Sequence, residues 1–392
     1  CKESINQENR IKEDVTFLAS DDLQGRQTGT DGEKKAAAYI ASRFKELGLS
    51  EKGTEKYLQP FTFKPKTNPH EEVKFEVNGD GTITGNNVIG FLDNKAENTI
   101  IIGAHFDHLG FGGEGSLYRD SIKAIHNGAD DNASGISILL NLAAKLKEKN
   151  TNNNYLFMAF SGEEMGLLGS NYFVKNPTIN TKKVTYMINM DMVGRMKKDS
   201  SLAVYGTGTS PIFKQTLKSH NDSFKLIQQE SGVGPSDHTS FYLADIPVLH
   251  FFTGQHEDYH KPGDDSEKLN YDGMELISKY IFNIISDLND NGKLAFRKTK
   301  NESESKPRFK VGLGVIPDYM FDGKGMRIDG VSEEKPAQRA GLQKGDIVIK
   351  LGNNEVINMM TYMKALAIFK EGDKTKVVVQ RKNEKVTTEI QF

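Results

Sequence analysis

Residues 31 to 288 alternate between two patterns of apolar positions. Short, continuous apolar runs are typical of strands that are buried on both faces, while apolar residues at every third or fourth position predict amphipathic helices. Strands that alternate with helices predict an α/β domain with a mostly parallel or mixed central sheet flanked by helices. The predicted strands are 73–77, 86–92, 98–104, 155–160, 184–190, 202–206 and 246–252, and the predicted helices are 31–48, 134–149 and 274–288.

Two residues are expected to mark the ends of these helices. Gly48 is expected to stop the helix over 31–48, because glycine readily adopts the left-handed conformation that follows many helices. Ser134 is expected to cap the helix over 134–149, because a serine oxygen can accept a hydrogen bond from an unpaired N–H of the first turn.

The pattern changes near residue 297. The stretch RKTKNESESKP (297–307) is charged, has no apolar periodicity and is interpreted as part of a linker. Beyond it the sequence predicts short strands and turns, with one helix near MMTYMKALAIF (359–369). Residues 306–392 carry a formal charge of +5, against −7 for residues 1–305. The predicted division is therefore an N-terminal tether (1–14), a large α/β domain (15–292), a linker (293–307) and a small β-rich domain (308–392).

The lengths of the apolar runs and the net charge argue against a membrane-spanning protein and a nucleic-acid-binding protein. The 392 residues suit one large and one small domain. No apolar run approaches the ~18 to 20 residues that a membrane helix needs. The net charge of −2 gives no electrostatic support for nucleic-acid binding.

The single cysteine is residue 1, so no disulfide can form within the chain. Cys1 and the polar stretch after it resemble a mature bacterial lipoprotein, which is cut just before its lipid-bearing cysteine. The alternative is that the chain merely begins at a cysteine. The resemblance leads us to expect lipid anchoring in a bacterial cell envelope, facing the periplasm or the outer surface, with the membrane contacted only through a lipid on Cys1.

Acidic residues and histidines follow the ends of four predicted strands. The carboxyl ends of parallel strands meet at one edge of an open sheet, where ligands bind. Imidazole nitrogens and carboxylate oxygens suit zinc or a similar divalent ion. Five such ligands exceed one tetrahedral site that keeps a position for water, but they fit two ions if one carboxylate bridges them. The residues expected to meet are His105, Asp131, Glu164, Asp191 and His260.

Taken singly, these residues have ordinary structural explanations. Paired acids such as Glu163 and Glu164 are typical of a solvated face. Asp130 and Asp131 are typical of a turn with a helix-capping aspartate, and a lone histidine is more often structural than a ligand. Asp191 is harder to explain, because unpaired buried acids are rare. The joint occurrence of all five at one sheet edge favours the metal site.

Five motifs in order make the chain resemble the co-catalytic di-zinc aminopeptidase family. They are GAHFDH, NGADDNASG, SGEEMGLLGS, INMDMVG and YHKPGDD, and with the segment LASDDLQGRQTGTDG the resemblance covers roughly residues 15–288. Each motif alone is weak, but the ordered set is specific. It implies a zinc exopeptidase fold, two divalent ions with Zn²⁺ as the expected metal, and removal of N-terminal residues from peptide substrates. Many relatives carry an inserted protease-associated domain, for which residues 57–100 are too few.

The resemblance also implies the ligand roles. Asp131 would bridge the two ions, with His105 and Asp191 on one ion and Glu164 and His260 on the other.

Further roles outside the ligand set follow from the same resemblance. Glu163 would be the general base toward the attacking water. Asp107 would accept a hydrogen bond from His105 and fix its tautomer. His238 would donate a hydrogen bond near the substrate or transition state. The other histidines are expected only to shape loops or to be structural or surface residues: His70, His108, His126, His220, His250 and His256.

The C-terminal segment resembles a PDZ domain of the bacterial protease type. The stretch KPAQRAGLQKGDIVIKLGNNEV carries the AGL-x-x-GD turn before a strand. The loop Gly312, Leu313, Gly314 and Val315 would then bind a peptide C-terminus or a protein partner, with the peptide added as a strand. A glycine-rich turn in another small β domain is the alternative.

Three other functions remain open at this point. A single-zinc glutaminyl cyclase has a very similar fold, but it would not need His105 as a ligand. A metallo-carboxypeptidase could use the same site. In a non-enzymatic binding protein the PDZ domain alone would act, although the intact ligand set and Glu163 argue against a decayed site.

Overall fold

A computed structural model of the chain describes residues 2–65, 75, 79–113, 115–118, 120, 122–147, 149–299, 311–318, 321, 323–331 and 335–392. The chain divides into two units. The first comprises Cys1–Thr253 and Asp258–Lys300, and the second comprises Asn301–Phe392 and Gly254–Glu257. The division after Lys300 lies inside the segment that the sequence predicts as the linker.

The first unit alternates strands and helices along most of its length. Its helices are α1 (Lys2–Leu18), α2 (Asp31–Glu46), α3 (Gly135–Leu146), α4 (Leu168–Lys175), α5 (Phe213–Ser219), α6 (His238–Tyr242) and α7 (Tyr271–Asp287). Its strands are β1 (Ser50–Glu51), β2 (Leu58–Phe63), β3 (Ile83–Leu92), β4 (Asn98–His105), β5 (Asn153–Phe160), β6 (Val184–Met190), β7 (Ser201–Tyr205), β8 (Lys225–Gln228) and β9 (Val248–Phe252).

Four parallel strands form the centre of the sheet. Across the described residues the order is β1-β3-β5-β4-β6-β9-β7-β8, and β2 pairs with β3. Strand β4 lies parallel to β5 and β6, and β6 lies parallel to β9. Strands β3 and β7 run antiparallel to β5 and β9. The mixed sheet confirms the predicted fold class and brings the carboxyl ends of β5, β4, β6 and β9 side by side.

Helices cover both faces of this sheet. One face packs against α1, α2, α3 and α7 in the main apolar core, and the other packs against α4 and α6 through Phe173 and Phe241. Every residue of β5 and β6 is buried, which explains why their sequences are continuous apolar runs instead of alternating ones.

Of the two predicted helix ends, the one at Gly48 is confirmed and the one at Ser134 is wrong. Helix α2 ends at Glu46, and Gly48 follows it in the left-handed region with φ +73°. The predicted cap at Ser134 is wrong, because its hydroxyl donates to the backbone carbonyl of Asp130 and not to the first turn of α3. The predicted strand 73–77 lies outside the described residues apart from Phe75, which forms an isolated bridge with Phe63.

Helix α1 occupies most of the segment predicted as a tether. Its Ile11 and Val15 are buried against the main core. The buried Asp14 carboxylate accepts hydrogen bonds from Arg43 (2.8 Å) and Tyr39 (2.6 Å) of α2. The limit of 14 for the tether is therefore too late, because apolar residues of α1 lie among charged ones and pack against helices α3 and α7.

The second unit is a small antiparallel domain, as the sequence predicts. Its strands are β10 (Val315–Pro317), β11 (Met326–Val331), β12 (Ile347–Leu351), β13 (Asn354–Glu355), β14 (Lys374–Arg381) and β15 (Glu384–Gln391), and its helices are α8 (Pro336–Arg339) and α9 (Met359–Leu366). The described strands run in the order β10-β11-β12-β14-β15, and β13 pairs with β12. Val348, Leu351 and Val377 lie in its own apolar core.

None of the helices that the structure describes is long and apolar enough to cross a membrane. Cys1 lies outside the described residues, so the lipid on Cys1 stays a prediction.

Candidate metal centre

His105 is the last residue of β4, and its ring faces two carboxylates. Its Nδ1–H donates to the backbone carbonyl of Asp107 at 3.2 Å, which leaves Nε2 as the ligand atom. Nε2 lies 3.2 Å from Asp131 Oδ1 and 3.3 Å from Asp191 Oδ1. It is buried and makes no hydrogen bond among the described residues. A buried imidazole nitrogen that faces two carboxylates is stable only with a proton or a metal cation between them.

His260 has the same arrangement on the other side of Asp131. Its Nδ1–H donates to the backbone carbonyl of Gly115 at 2.7 Å. Its Nε2 lies 3.1 Å from Asp131 Oδ2 and 3.3 Å from Glu164 Oε2. The Asp131 carboxylate therefore has one imidazole on each oxygen, which is the arrangement that a bridging ligand requires.

The local chain explains how Asp131 reaches this position. It lies in the irregular turn Ala129–Ser134 between β4 and α3, and its φ and ψ of −108° and 86° are not helical. Gly128 precedes the turn with φ +57°, and a Cβ there would lie 2.2 Å from the carbonyl oxygen of Asp131. Only glycine fits at this position without moving the bridge.

The distances between the candidate ligand atoms fit tetrahedral metal coordination. Zinc binds imidazole nitrogen and carboxylate oxygen at about 2.0–2.1 Å, which puts neighbouring ligand atoms of a tetrahedron about 3.3 Å apart. The four distances between imidazole nitrogens and carboxylate oxygens, 3.1 to 3.3 Å, agree with this value. The structure thus brings together the five residues that the sequence predicts as ligands, in two sets that share Asp131.

His108 is a member of the site that the sequence analysis missed. Its Nδ1–H donates to Glu164 Oε1 at 2.8 Å, and Nδ1 lies 4.0 Å from Asp131 Oδ2. The ligand atoms of His108, Asp131 and Glu164 all lie within 4.8 Å of one another. The signal was present in the sequence, since His108 follows His105 by three residues within one motif, but it was read as a loop residue.

The site carries an excess of negative charge that attracts cations. Burial lowers the pKa of His105, but the Asp191 and Glu163 carboxylates raise it well above its ordinary value. Burial also opposes protonation of His260, yet Glu164 and Asp131 raise its pKa to about 9. Burial raises the pKa of Asp131, but the His105 and His260 imidazoles beside its two oxygens bring it well below the usual range. The same field that favours a proton on each imidazole favours a divalent ion.

Glu163 lies next to the ligand Glu164 but is not among the ligand contacts. Its backbone N–H donates to Asp107 Oδ1 at 3.1 Å, which fixes the turn after β5. Burial raises the pKa of the Glu163 carboxyl well above its ordinary value, and the neighbouring Glu164 and Asp191 raise it further, while His105 opposes the shift. A carboxylate in this environment accepts a proton readily.

The predicted role of Asp107 needs correction. The nearest acceptor for His105 Nδ1–H is the backbone carbonyl of Asp107, while the carboxylate Oδ1 lies 3.7 Å away. That carboxylate instead accepts hydrogen bonds from Thr28 Oγ1 (3.0 Å) and from the Glu163 N–H. Asp107 therefore fixes the His105 tautomer through its main chain and holds the Glu163 turn through its side chain.

His238 lies at the start of α6, fully buried, with its ring stacked on His250 at 4.4 Å between centroids. His250 is on β9 opposite Asn189 of β6, whose amide is 3.1 Å from His250 Nδ1. Burial lowers the pKa of His250 to about 4. The predicted hydrogen bond of His238 to substrate stays a prediction.

Two family models and a curated protein match parts of this chain. Residues 87–285, about half of the chain, match the model of peptidase family M28, and residues 294–392 match that of the PDZ domain. A probable leucine aminopeptidase of Trichophyton verrucosum is 32% identical over 173 residues, which are 41% of this chain and 44% of that protein. The chain spans less than half the length of this curated relative.

Two solved structures share the fold of the first unit. A zinc aminopeptidase from Bacillus subtilis matches with a TM-score of 0.54 and 18% identity, over 75% of this chain and 96% of that one. The glutaminyl cyclase of Porphyromonas gingivalis matches with a TM-score of 0.56 and 17% identity, over 71% of this chain and 98% of that one. At these identities the likeness establishes the fold alone.

Proposed function

The chain belongs to peptidase family M28, and from this membership and the geometry of the metal centre we propose that it is an aminopeptidase that uses two divalent metal ions. The observation that carries the proposal is the Asp131 carboxylate, with His105 Nε2 at 3.2 Å from one oxygen and His260 Nε2 at 3.1 Å from the other. A bridging carboxylate between two imidazoles is the ligand set of a two-metal site.

The chain's own residues would divide the work as follows. His105 and Asp191 would hold one ion, Glu164 and His260 would hold the other, and Asp131 would bridge them. When bound, the ions supply Lewis-acid polarisation of the peptide carbonyl and make a water molecule more acidic.

Glu163 is the proposed general base. It would take a proton from the attacking water and deliver it to the leaving amine, and burial raises its pKa in the direction that favours accepting the proton. Asp107 supports this role by accepting the Glu163 N–H, which fixes the turn that carries the Glu163 side chain. Zinc is the proposed metal because nitrogen and oxygen ligands at these separations suit it.

A glutaminyl cyclase is the second candidate, since one such enzyme shares the fold. The ligand distances argue against it. A one-metal site would use Asp131, Glu164 and His260, and His105 would then have no reason to present Nε2 to both Asp131 and Asp191.

The second unit is proposed to bind the C-terminus of a peptide or protein. The loop Gly312–Val315 leads into β10, which lies at one end of the described sheet order and so offers an edge for an added strand. Gly314 has φ +72°, and the Leu313 carbonyl accepts from the Ala337 N–H at 2.8 Å, which anchors the loop to the start of α8. Lipid anchoring through Cys1 in a bacterial envelope is proposed from the sequence alone.

A panel of aminoacyl chromogenic substrates, assayed after chelation and after return of one or two equivalents of Zn²⁺, tests the function. An aminopeptidase cleaves substrates with a free amino group, loses activity on chelation and gains from the second equivalent. Cyclisation of N-terminal glutamine with full activity at one equivalent would identify the cyclase instead. Preference for amino-terminally blocked peptides would indicate a carboxypeptidase.

A further inference from the structure

Asp264 lies four residues after His260, and its carboxylate contacts the main chain of the bridging turn. Asp264 is fully buried. Its Oδ2 accepts the N–H of Asp130 at 3.0 Å and that of Asp131 at 3.1 Å, and Oδ1 lies 3.2 Å from the Asp130 nitrogen. The backbone carbonyl of Asp264 also accepts the N–H of Ala129 at 2.9 Å. One residue of the His260 loop therefore binds three successive amides of the Asp131 turn.

Arg26 holds the same turn from the opposite side. It is fully buried, and its guanidinium donates to the backbone carbonyls of Gly128 (3.0 Å) and Asn127 just before the turn. It also donates to the carbonyl of Phe106 at 2.7 Å, directly after His105. Arg26 thus links the His105 loop to the Asp131 turn, while Asp264 links the Asp131 turn to the His260 loop.

We propose that Asp264 and Arg26 are positioning residues that set the orientation of the bridging Asp131 between the two metal ions. Asp264 binds the N–H groups of the turn and Arg26 binds the carbonyl groups that precede it. Neither touches the ions or the substrate. The inference rests on the proposed two-metal function, because it concerns how the bridge is held.

The physical reason for such a pair lies in the irregular turn itself. Asp131 has non-helical backbone angles, so the hydrogen bonds of α3 do not fix the direction of its side chain. The distances from the Asp131 oxygens to the two imidazoles must be held to within about 0.5 Å for the ligand positions to suit an ion. The buried Asp264 carboxylate accepts N–H groups of the turn, and the buried Arg26 guanidinium donates to the carbonyls that precede it. Together they restrain the peptide planes of the turn.

Charge balance supports the pairing. A buried carboxylate and a buried guanidinium are each costly without compensation. Burial lowers the pKa of Arg26 to about 10, and the fields of Asp107, Asp131 and Asp264 oppose that decrease. Arg26 and Asp264 therefore stabilise each other's charge across the turn without a direct ion pair.

The test is metal binding by the folded protein, measured by calorimetric titration of Zn²⁺ into chelator-treated samples. The variant is Asp264→Asn, which keeps the shape of the side chain but removes its charge and one acceptor oxygen. Its matched control is Asp265→Asn, whose carboxylate contacts the Asn127 side chain at 3.3 Å and not the amides of the turn. Removing outer-shell partners of metal ligands costs roughly 10- to 100-fold in affinity.

We expect Asp264→Asn to weaken both ions by roughly 10- to 100-fold, because both are bound to Asp131, and Asp265→Asn to bind like the wild type. The visible spectrum of the Co²⁺-loaded variant should also change, since the bridging oxygens would be displaced. Unchanged affinities and spectrum would overturn the proposal. Weaker binding of only one ion would also overturn it, because Asp264 would then position only the His260 loop and not the bridging Asp131.

Two further variants keep the test decisive. Asp264→Glu retains the charge but moves the carboxylate by one methylene, and it should weaken both ions less than Asn does. Arg26→Lys retains the charge but cannot span three carbonyls, and it should weaken both ions as well. If the wild type binds two ions and the Asp264 variants bind them equally well, only this inference is refuted. If the wild type does not bind two ions, the proposed function is refuted.

Discussion

His260 Nε2 lies 3.1 Å from Asp131 Oδ2, although the two residues belong to loops at the ends of different strands of the central sheet. Strand β4, which precedes the Asp131 turn in the chain, brings His105 to the other oxygen of the same carboxylate. Asp131 is therefore the residue on which both ligand sets depend, and the consequences of replacing it differ from those of replacing any other ligand.

Replacing Asp131 by alanine should remove both metal ions, because it removes the ligand that they share. Replacing Asp191 by asparagine should remove only the ion of the His105 set. Elemental analysis of dialysed protein, with circular dichroism to confirm folding, measures this difference. Equal metal contents in the two variants would contradict the bridging role.

Replacing Glu163 by glutamine should abolish peptide hydrolysis while the metal content stays near that of the wild type. Glutamine has nearly the same shape but cannot accept the proton, so kcat should fall by roughly 10²- to 10⁴-fold. The matched control is Glu164→Gln, which should instead lose the ion of the His260 set. Undiminished turnover in the Glu163 variant would remove that residue from the mechanism.

The sheet and the convergence of the five candidate ligands could be predicted because both leave a signal in residue type. Strands buried on both faces must be continuously apolar, as in β5 and β6, and ligands must be imidazoles or carboxylates at strand ends. Short elements such as β8 and α6 lack a full period of either pattern. Helix α1 was missed because its buried Ile11 and Val15 are separated by charged residues.

The supporting contacts of the site could not be predicted, because their partners are backbone atoms. Arg26 and Asp264 bind carbonyls and amides far away in the chain, and any residue type supplies those groups. For the same reason the partner of His105 was assigned to the Asp107 carboxylate when the nearer acceptor is the Asp107 carbonyl. His108 was the avoidable error, since its side chain carries the signal.

Replacing Gly128 by alanine should destabilise the protein and displace the bridge. The left-handed conformation alone costs an L-residue about 1–2 kcal/mol, and a Cβ would also lie 2.2 Å from the Asp131 carbonyl oxygen. Gly292→Ala is the matched control, because φ is +62° there and no atom lies within 4 Å of the added Cβ. Urea unfolding and metal content should show a larger loss of stability and loss of metal in the Gly128 variant alone.

Replacing Lys145 by methionine should stabilise the protein below about pH 8 and flatten its stability at alkaline pH. Burial lowers the pKa of Lys145 to about 8, and the ammonium donates only to the Ser278 hydroxyl at 3.1 Å among the described contacts. In the unfolded chain Lys145 keeps its proton up to its ordinary pKa of 10.5. The folded wild type therefore gains stability as the pH rises from about 8 to 10.5. Below pH 8 it has the full cost of the buried charge. Because the side chain is partly exposed, we expect a gain of roughly 1–2 kcal/mol at pH 7.

Urea unfolding of the wild type and the Lys145 variant at pH 7, 8.5 and 10 measures this effect. The two stabilities should approach each other as the pH rises, because the wild type loses the buried charge while methionine has none to lose. Lys149→Met, at an exposed position near the end of the same helix, controls for the change in net charge and should leave the gap between wild type and variant constant. A constant gap for the Lys145 variant would mean that its ammonium is as well solvated in the folded protein as in the unfolded chain.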